Sequence, residues 1–450
     1  MTAATTIPLS EVVGALSYAL DITEGQPVGH SLRCCWIGMH LGMRLGLPPA
    51  ELSDLYYTLL LKDIGCSSNA ARICQLYLAD DLSFKGSYKA VDNKLPEILR
   101  FLLAHTARKS GMIERLQTMV YIARNGGEIA RELIETRCQR GADIARSMRF
   151  SEPVAQGILD LDEHWDGTGQ PLGLQGQAIS LFARIALLAQ VADVFFIRGG
   201  VAAALEEVSA RAGRWFDPQL VSKLVEMADD AAFWDVLLAN DLPDRVVDLE
   251  PRSMTRRIDE TYLDDIAAGF AQVVDAKSPF TAGHSDRVAL FADLIAEELG
   301  YPEARRRWIR RAALLHDIGK LGVSNAVLDK NGKLDEAEWA AIRSHPGLGQ
   351  TILSKIAAFQ DMARIAGGHH ERLDGKGYPL GVTAEAIDLD TRIVTTADIF
   401  DALTADRPYR KAMPVSVAFD VMQRDLGTAI DPDCFAALQR GFVRIKSVAA

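Results

Sequence analysis

Apolar residues recur every three or four positions, with charges between them, over 285–299, 303–315 and 336–342. That is the spacing of an amphipathic helix with one face in a core. The apolar–polar alternation of half-buried strands is scarce along the whole chain. Gly and Pro gather in short connectors such as 167–173 and 373–381, where they end helices and set turns. The pattern predicts an all-α protein. A polar stretch containing two prolines, 241–260, divides the chain roughly in half. It predicts domains at 1–240 and 261–450, with 241–260 as the linker.

An internal repeat supports that division. Gly29-His30-Ser31 returns as Gly283-His284-Ser285, and Asp63-Ile64-Gly65 as Asp317-Ile318-Gly319, each 254 positions on. The run from Asp166 to Gly173 returns from Asp374 to Gly381, 208 positions on. One fold is used twice, and the two copies differ in chemistry.

Composition narrows the classes. With 48% hydrophobic and 24% charged residues over 450 positions, the chain reads as an ordinary folded soluble protein. A net charge of -11 argues against broad attraction to nucleic acid polymers or anionic membrane. An anionic ligand must then be met by local cations or metals. The apolar run 185–197 is interrupted by Gln190 and Asp193, too short and too polar to cross a bilayer. Residues 1–15 show no leader pattern. The six cysteines (Cys34, Cys35, Cys66, Cys74, Cys138 and Cys434) form no CxxC pair. Together these predict a cytoplasmic protein whose cysteines are buried small hydrophobes.

Five of the nine histidines, His284, His316, His345, His369 and His370, fall in the second half. Asp317 follows His316 directly, and Asp398 closes the largely apolar run 392–397. Imidazole and carboxylate together suit borderline divalent metals such as Fe, Mn, Zn, Co or Ni. Seven such donors are too many for one tetrahedral site. They suffice for two ions that keep open positions, particularly with Asp317 between them. A pair of cations serves phosphoryl chemistry by activating water, neutralising phosphate oxygens and steadying the leaving oxygen. Lys320, three residues after Asp317, lies about one helical turn on. There it would contact the phosphate or protonate the departing oxygen.

His316-Asp317-Ile318-Gly319-Lys320, followed by His369-His370-Glu371-Arg372-Leu373-Asp374-Gly375-Lys376-Gly377-Tyr378-Pro379, resembles the HD-GYP subgroup of the HD phosphohydrolase superfamily. The resemblance runs from about residue 275 to 412. It implies two tandem HD-type helical domains, the second hydrolysing cyclic di-GMP to pGpG or GMP. It implies two Fe or Mn ions held by His284, His316, Asp317, His345, His369, His370 and Asp398, with Asp317 and Lys320 at the catalytic centre. Gly377 and Tyr378 would line the substrate groove, and Arg407 and Arg410 would hold phosphate or guanine. Phe280 stands where some members carry a further glutamate ligand, so two ions are expected and not three.

The basic run Arg305, Arg306, Arg307, Arg310 and Arg311 reads as a solvated helix face, leaving Trp308, Ile309 and Ala312 to pack. The first half keeps His30 and Asp63 but places Lys62 opposite His316 and Cys66 opposite Lys320. Gln139 falls opposite His345, Leu161 and Asp162 opposite the His369-His370 pair, and Gln190 opposite Asp398. An ammonium at position 62 repels a cation beside it, so no metal centre is expected there. His40 and His164 are expected to be structural or exposed. The first half is then a candidate for homodimer formation, for control of the catalytic half, or for docking a signalling partner. Two alternatives stand beside cyclic di-GMP hydrolysis. One keeps the centre and changes the substrate to 3′,3′-cyclic GMP-AMP or another nucleotide phosphate. The other makes the protein a scaffold or binding protein acting through its first half.

Overall fold

The expected amphipathic segments are helices, and the longest of them, predicted from 336 to 342, continues to Leu353. The computed structural model describes residues 7–89, 91, 95–106, 111–406 and 410–448. Arg407 lies outside them. Two compact units divide the chain, Met1–Tyr262 and Leu263–Ala450.

The first unit carries α1 (Leu9–Thr23), α2 (His30–Arg44), α3 (Pro49–Leu61), α4 (Ala70–Tyr77), α5 (Asp81–Tyr88) and α6 (Leu95–His105). They are followed by α7 (Met112–Ser147), α8 (Glu152–Leu159), α9 (Leu181–Ala210), α10 (Pro218–Val225), α11 (Ala231–Asp235) and α12 (Leu242–Val247). Helix α13 (Glu260–Asp275) leads into the second unit. There follow α14 (His284–Glu298), α15 (Glu303–Leu315), α16 (Asn325–Leu328), α17 (Glu336–Leu353) and α18 (Gln360–Gly368). The chain ends with α19 (Leu389–Thr404), α20 (Val415–Gln423) and α21 (Pro432–Val448). Helix α2 packs on α3 and α9, and α14 packs on α15, α19 and α21. Their facing sides are fully buried apolar residues, such as Ile37, Leu59 and Leu188 in one unit and Val288, Ile309 and Val394 in the other.

The repeat extends to the polar contacts. Ser31 donates through its hydroxyl to Asp21 at 2.6 Å, and Ser285 donates likewise to Asp275 at 2.7 Å. His30 Nδ1 meets Asp193 at 2.6 Å, and His284 Nδ1 meets Asp401 at 2.7 Å. Glu163 accepts the backbone N–H groups of Leu172, Gly173 and Leu174; Glu371 accepts those of Leu380, Gly381 and Val382.

Three expectations are corrected. Gly319 lies against the backbone of α17 at His345 and Gly349, while Gly65 lies against α7 at Arg137 and Gly141. Neither glycine has room for a Cβ, so this close approach fixes the helix register. Arg137, not Gln139, therefore stands where His345 does. Between these points the repeat spacing falls from 254 to 208, so the first unit holds 46 extra residues. They form α4 to α6 and the first turns of α7, with a core of their own that includes Ile73, Tyr77, Phe84, Phe101, Ile122 and Leu133.

Second, the stretch 241–260 belongs to the first unit. Leu242 and Val246 of α12 are buried, and Glu250 accepts a hydrogen bond from Tyr57 at 2.5 Å. Strand β2 (Arg257–Ile258) pairs antiparallel with β1 (Ile7–Pro8). Burial and pairing, not polarity, decide what a connector does.

Third, the basic run is not simply solvated. Arg305 pairs with Asp390, Arg306 and Arg310 with Asp293, and Arg307 and Arg311 with Asp264. Among the described residues, α9 alone is long and apolar enough to cross a membrane, but 61% of its most apolar window is buried. Its backbone leaves helical geometry at Gly199 and Gly200. It is a core helix.

Candidate metal centre and substrate groove

The second unit gathers its histidines and Asp398 from five helices or their ends. His284 opens α14 behind Gly283, whose φ of 65° gives the left-handed entry that glycine adopts without strain. His316 and Asp317 follow α15, His345 lies inside α17, His369 and His370 follow α18, and Asp398 sits in α19. Loop residues would let these side chains drift; helix ends hold them.

Asp317 lies at the middle. Its Oδ2 is 3.2 Å from His284 Nε2 and 3.4 Å from His316 Nε2. Its Oδ1 is 3.4 Å from His345 Nε2 and 3.6 Å from His369 Nε2. Asp398 Oδ1 approaches His284 Nε2 at 3.4 Å. Three overlapping groups are compact enough to hold an ion: His284 with His316 and Asp398, His316 with Asp317 and His369, and His345 with His369 and His370. The structure thus brings all seven expected ligands together, around the two oxygens of one carboxylate.

Four of the five rings are aimed by their other nitrogen. The Nδ1 atoms of His316, His345 and His369 meet the carbonyls of Ala313, Ile342 and Ala366 at 2.6, 2.7 and 2.8 Å, and His284 Nδ1 meets Asp401. This is how metal-binding imidazoles are oriented, leaving Nε2 for the ion. His284 Nε2, His316 Nε2 and Asp317 Oδ1 are buried and make no hydrogen bond. His345 Nε2 and His369 Nε2 lie only 3.3 Å apart. Orphaned buried polar atoms are costly, and a nitrogen–oxygen donor set of this kind is relieved by divalent cations. The residues fit a metal centre.

Electrostatics favour the neutral ring at three of the five histidines. Burial lowers the pKa of His316 to about 4 and lowers those of His345 and His370, which keeps the rings in the neutral form that ligates. Burial also pulls His284 down, but the carboxylates of Asp317 and Asp401 outweigh it and carry the pKa to about 9. Burial would raise Asp317 and Asp398; the neighbouring cationic groups, Lys320 foremost for Asp317 and His284 for Asp398, hold both below the ordinary carboxylate range.

Beside the centre runs a cleft of about 660 Å³, with Lys320, His345, His370, Tyr378 and Asp398 in its wall. Lys320 Nζ bonds Asp317. Tyr378 stacks on His370 with ring centres 4.8 Å apart. Gly377 sits too close to the backbone of Glu371 and Arg372 to carry a Cβ. Arg410 departs from expectation. Its guanidinium donates to the carbonyls of Ala402, Leu403 and Lys411, closing the end of α19 as cationic side chains do at helix C-termini. Sequence reasoning missed Asp401 as the partner of His284, although the His30–Asp193 pair in the repeat carried the signal. It also missed Glu371 as the anchor of the Gly-Tyr-Pro loop.

In the first unit the same place holds cations of its own. Lys62 donates to Asp63 and lies 3.2 Å from His30 Nε2. Lys89, at the end of α5, meets Asp63 and Gln190 at 3.2 Å each and Glu24 at 3.0 Å. Arg137 pairs with Asp162. Glu24, Asp63 and Cys66 are close enough to hold an ion, but burial pushes the Cys66 thiol well up and ammonium groups already engage both carboxylates. His40 and His164 are satisfied against aromatic rings, of Trp36 and Trp215 respectively.

The HD domain family profile matches residues 94–220 and 270–434. Over 435 residues the chain is 56% identical to the 3′3′-cGAMP-specific phosphodiesterase 3 of Vibrio cholerae serotype O1, covering 97% of this chain and 95% of that protein. A cyclic di-GMP phosphodiesterase response regulator of Xanthomonas campestris pv. campestris is 40% identical over 180 residues, 40% of this chain and 48% of that protein. The crystal structure of a cyclic GMP-AMP specific phosphodiesterase of V. cholerae matches with a TM-score of 0.67 at 50% identity, covering 97% of this chain and 98% of that one.

Proposed function

Since the chain belongs to the HD domain family, in its HD-GYP form, and is a cyclic dinucleotide phosphodiesterase, we propose that it hydrolyses 3′,3′-cyclic GMP-AMP in the second unit. One observation carries this choice over cyclic di-GMP, which the motif alone favoured. The relative named for the mixed dinucleotide matches along 97% of the chain, both units included, whereas the cyclic di-GMP relative matches over 40% of it.

In this reading two divalent ions, Fe or Mn, would be held by His284, His316, Asp317, His345, His369, His370 and Asp398. Such ions supply Lewis-acid charge for phosphate oxygens and lower the pKa of water. The chain does the rest. Carbonyl bonds at Nδ1 and the Asp401 carboxylate hold the rings so that no reorganisation is needed when substrate arrives. Lys320, anchored on Asp317, donates a hydrogen bond to a phosphate oxygen or its proton to the departing ribose oxygen; water adds to phosphorus as that P–O bond breaks, and the proton water loses restores the ammonium. Tyr378, stacked on His370, walls the groove. The first unit, with internal cations where ligands would be, takes a supporting role as a dimerisation or control element.

The test is the purified protein loaded with Mn or Fe and given each cyclic dinucleotide separately. A linear dinucleotide product, formed with kcat/KM at least about tenfold higher for the mixed substrate, about 1.4 kcal/mol of discrimination, is expected. Preference for cyclic di-GMP would overturn the substrate assignment, and no product from either would overturn the reaction.

A further inference from the structure

The cleft beside the metal centre has an aromatic wall that the reaction described above does not use. Trp339 lines it and is 44% exposed, more than any of the other five tryptophans. The helix turn that carries it is firmly placed. Asp335 and Glu338 form a capping box at the start of α17, and Lys330 clamps Glu338 at 2.5 Å. Arg343 lies over the indole, 5.6 Å from the ring centre. Trp339, Ile342 and His345 are successive i, i+3 positions along this helix, and all three line the cleft. A rise of 1.5 Å per residue puts Trp339 about 9 Å along the axis from His345. A molecule whose phosphate sits at the centre would therefore extend a neighbouring group onto the indole.

The repeat supplies a control. In the register fixed by Gly65 and Gly319, position 339 corresponds to Arg131. The fold is built without an aromatic residue there, in the unit that also lacks the imidazole cluster. The tryptophan goes with the unit that carries the site.

We propose that Trp339 is the base-stacking platform of the groove, on which one purine of the cyclic dinucleotide lies while its phosphate occupies the metal centre. This rests on the reading of the site as a cyclic dinucleotide phosphodiesterase. Stacking on an aromatic face tolerates either purine, so the platform supplies affinity and orientation, and selection between guanine and adenine comes from other groups.

The experiment compares wild type, Trp339→Ala and Trp339→Phe, each loaded with Mn. Base–aromatic stacking corresponds to about 5- to 150-fold in affinity. Trp339→Ala is expected to raise KM for cyclic GMP-AMP by at least about tenfold with kcat within about twofold, and Trp339→Phe to recover most of the loss. Metal content stays at the wild-type level. A non-hydrolysable phosphorothioate analogue should quench tryptophan fluorescence in the wild type and not in Trp339→Phe. A KM for Trp339→Ala within about twofold of wild type, or quenching that persists in Trp339→Phe, overturns the platform. Should the wild type bind the analogue but hydrolyse no cyclic dinucleotide, the assigned activity fails, and the quenching comparison still decides the platform.

Discussion

Replacing Lys89 with methionine should destabilise the first unit by about 3 kcal/mol while leaving the second unit's chemistry intact. The ammonium is buried, its side chain 7% exposed, and it pairs with Glu24 at 3.0 Å and Asp63 at 3.2 Å. Methionine fills similar volume, so little cavity is created. The cost is electrostatic. Removing one partner of a buried ion pair leaves an uncompensated charge and typically costs about 3–5 kcal/mol. The lower end applies, because Lys62 remains on Asp63 and Lys85 stays 3.8 Å from Glu24. With a urea dependence near the upper end of the usual range, about 3 kcal/mol per molar, the midpoint should fall by about 1 M. Tryptophan fluorescence reports it, since Trp36, Trp165, Trp215 and Trp234 lie in this unit.

The pH dependence gives a second readout. Burial would raise the pKa of Glu24, yet Lys89 and Lys85 bring it from 4.5 down to about 2. A carboxylate with a depressed folded pKa stabilises above its unfolded pKa and loses that contribution as pH falls through the folded one. The gap between wild type and Lys89→Met should therefore be widest near neutrality and narrow from about pH 4.5 toward 2. A midpoint shift below about 0.3 M at neutral pH, or a gap that widens in acid, would refute the ion-pair account.

The second unit offers further tests. Asp317→Ala and His369→Ala should each abolish turnover and lower bound metal with circular dichroism unchanged; full activity in either would remove the ligand assignment. Asp401→Asn should weaken metal affinity about 10- to 100-fold, since it holds His284 by its outer nitrogen, which a competitive chelator titration measures. Glu371→Gln leaves an N–H facing either the Leu380 and Gly381 donors or that of Val382; the Gly-Tyr-Pro loop should loosen and KM rise severalfold, read by steady-state kinetics. Asp63→Ala should leave metal content unchanged by elemental analysis, because the first unit has no part in holding the ions.

The convergence of the seven candidate donors was legible because metal chemistry restricts residue types severely, and because the His-Asp and His-His pairs fall at helix ends whose packing follows from local periodicity. The helical class was legible for the same reason. What escaped was non-local. The position of Arg137 depends on the contact between Gly65 and α7, across 46 inserted residues that shift the repeat. Lys89 comes from that insertion, which has no counterpart to align against. Arg410 looked free to bind phosphate until the carbonyls at the end of α19 claimed it. The stretch 241–260 carries enough polarity to resemble a tether, yet Val246 and Glu250 are buried.

The lysines in the first unit have a consequence for how the protein meets its surroundings. A site built for imported ions works only while they are supplied, while one that carries ammonium groups on its own side chains is indifferent to it. On the proposed reading, starvation for divalent metals would silence the second unit, while the lysines of the first would go on holding their carboxylates.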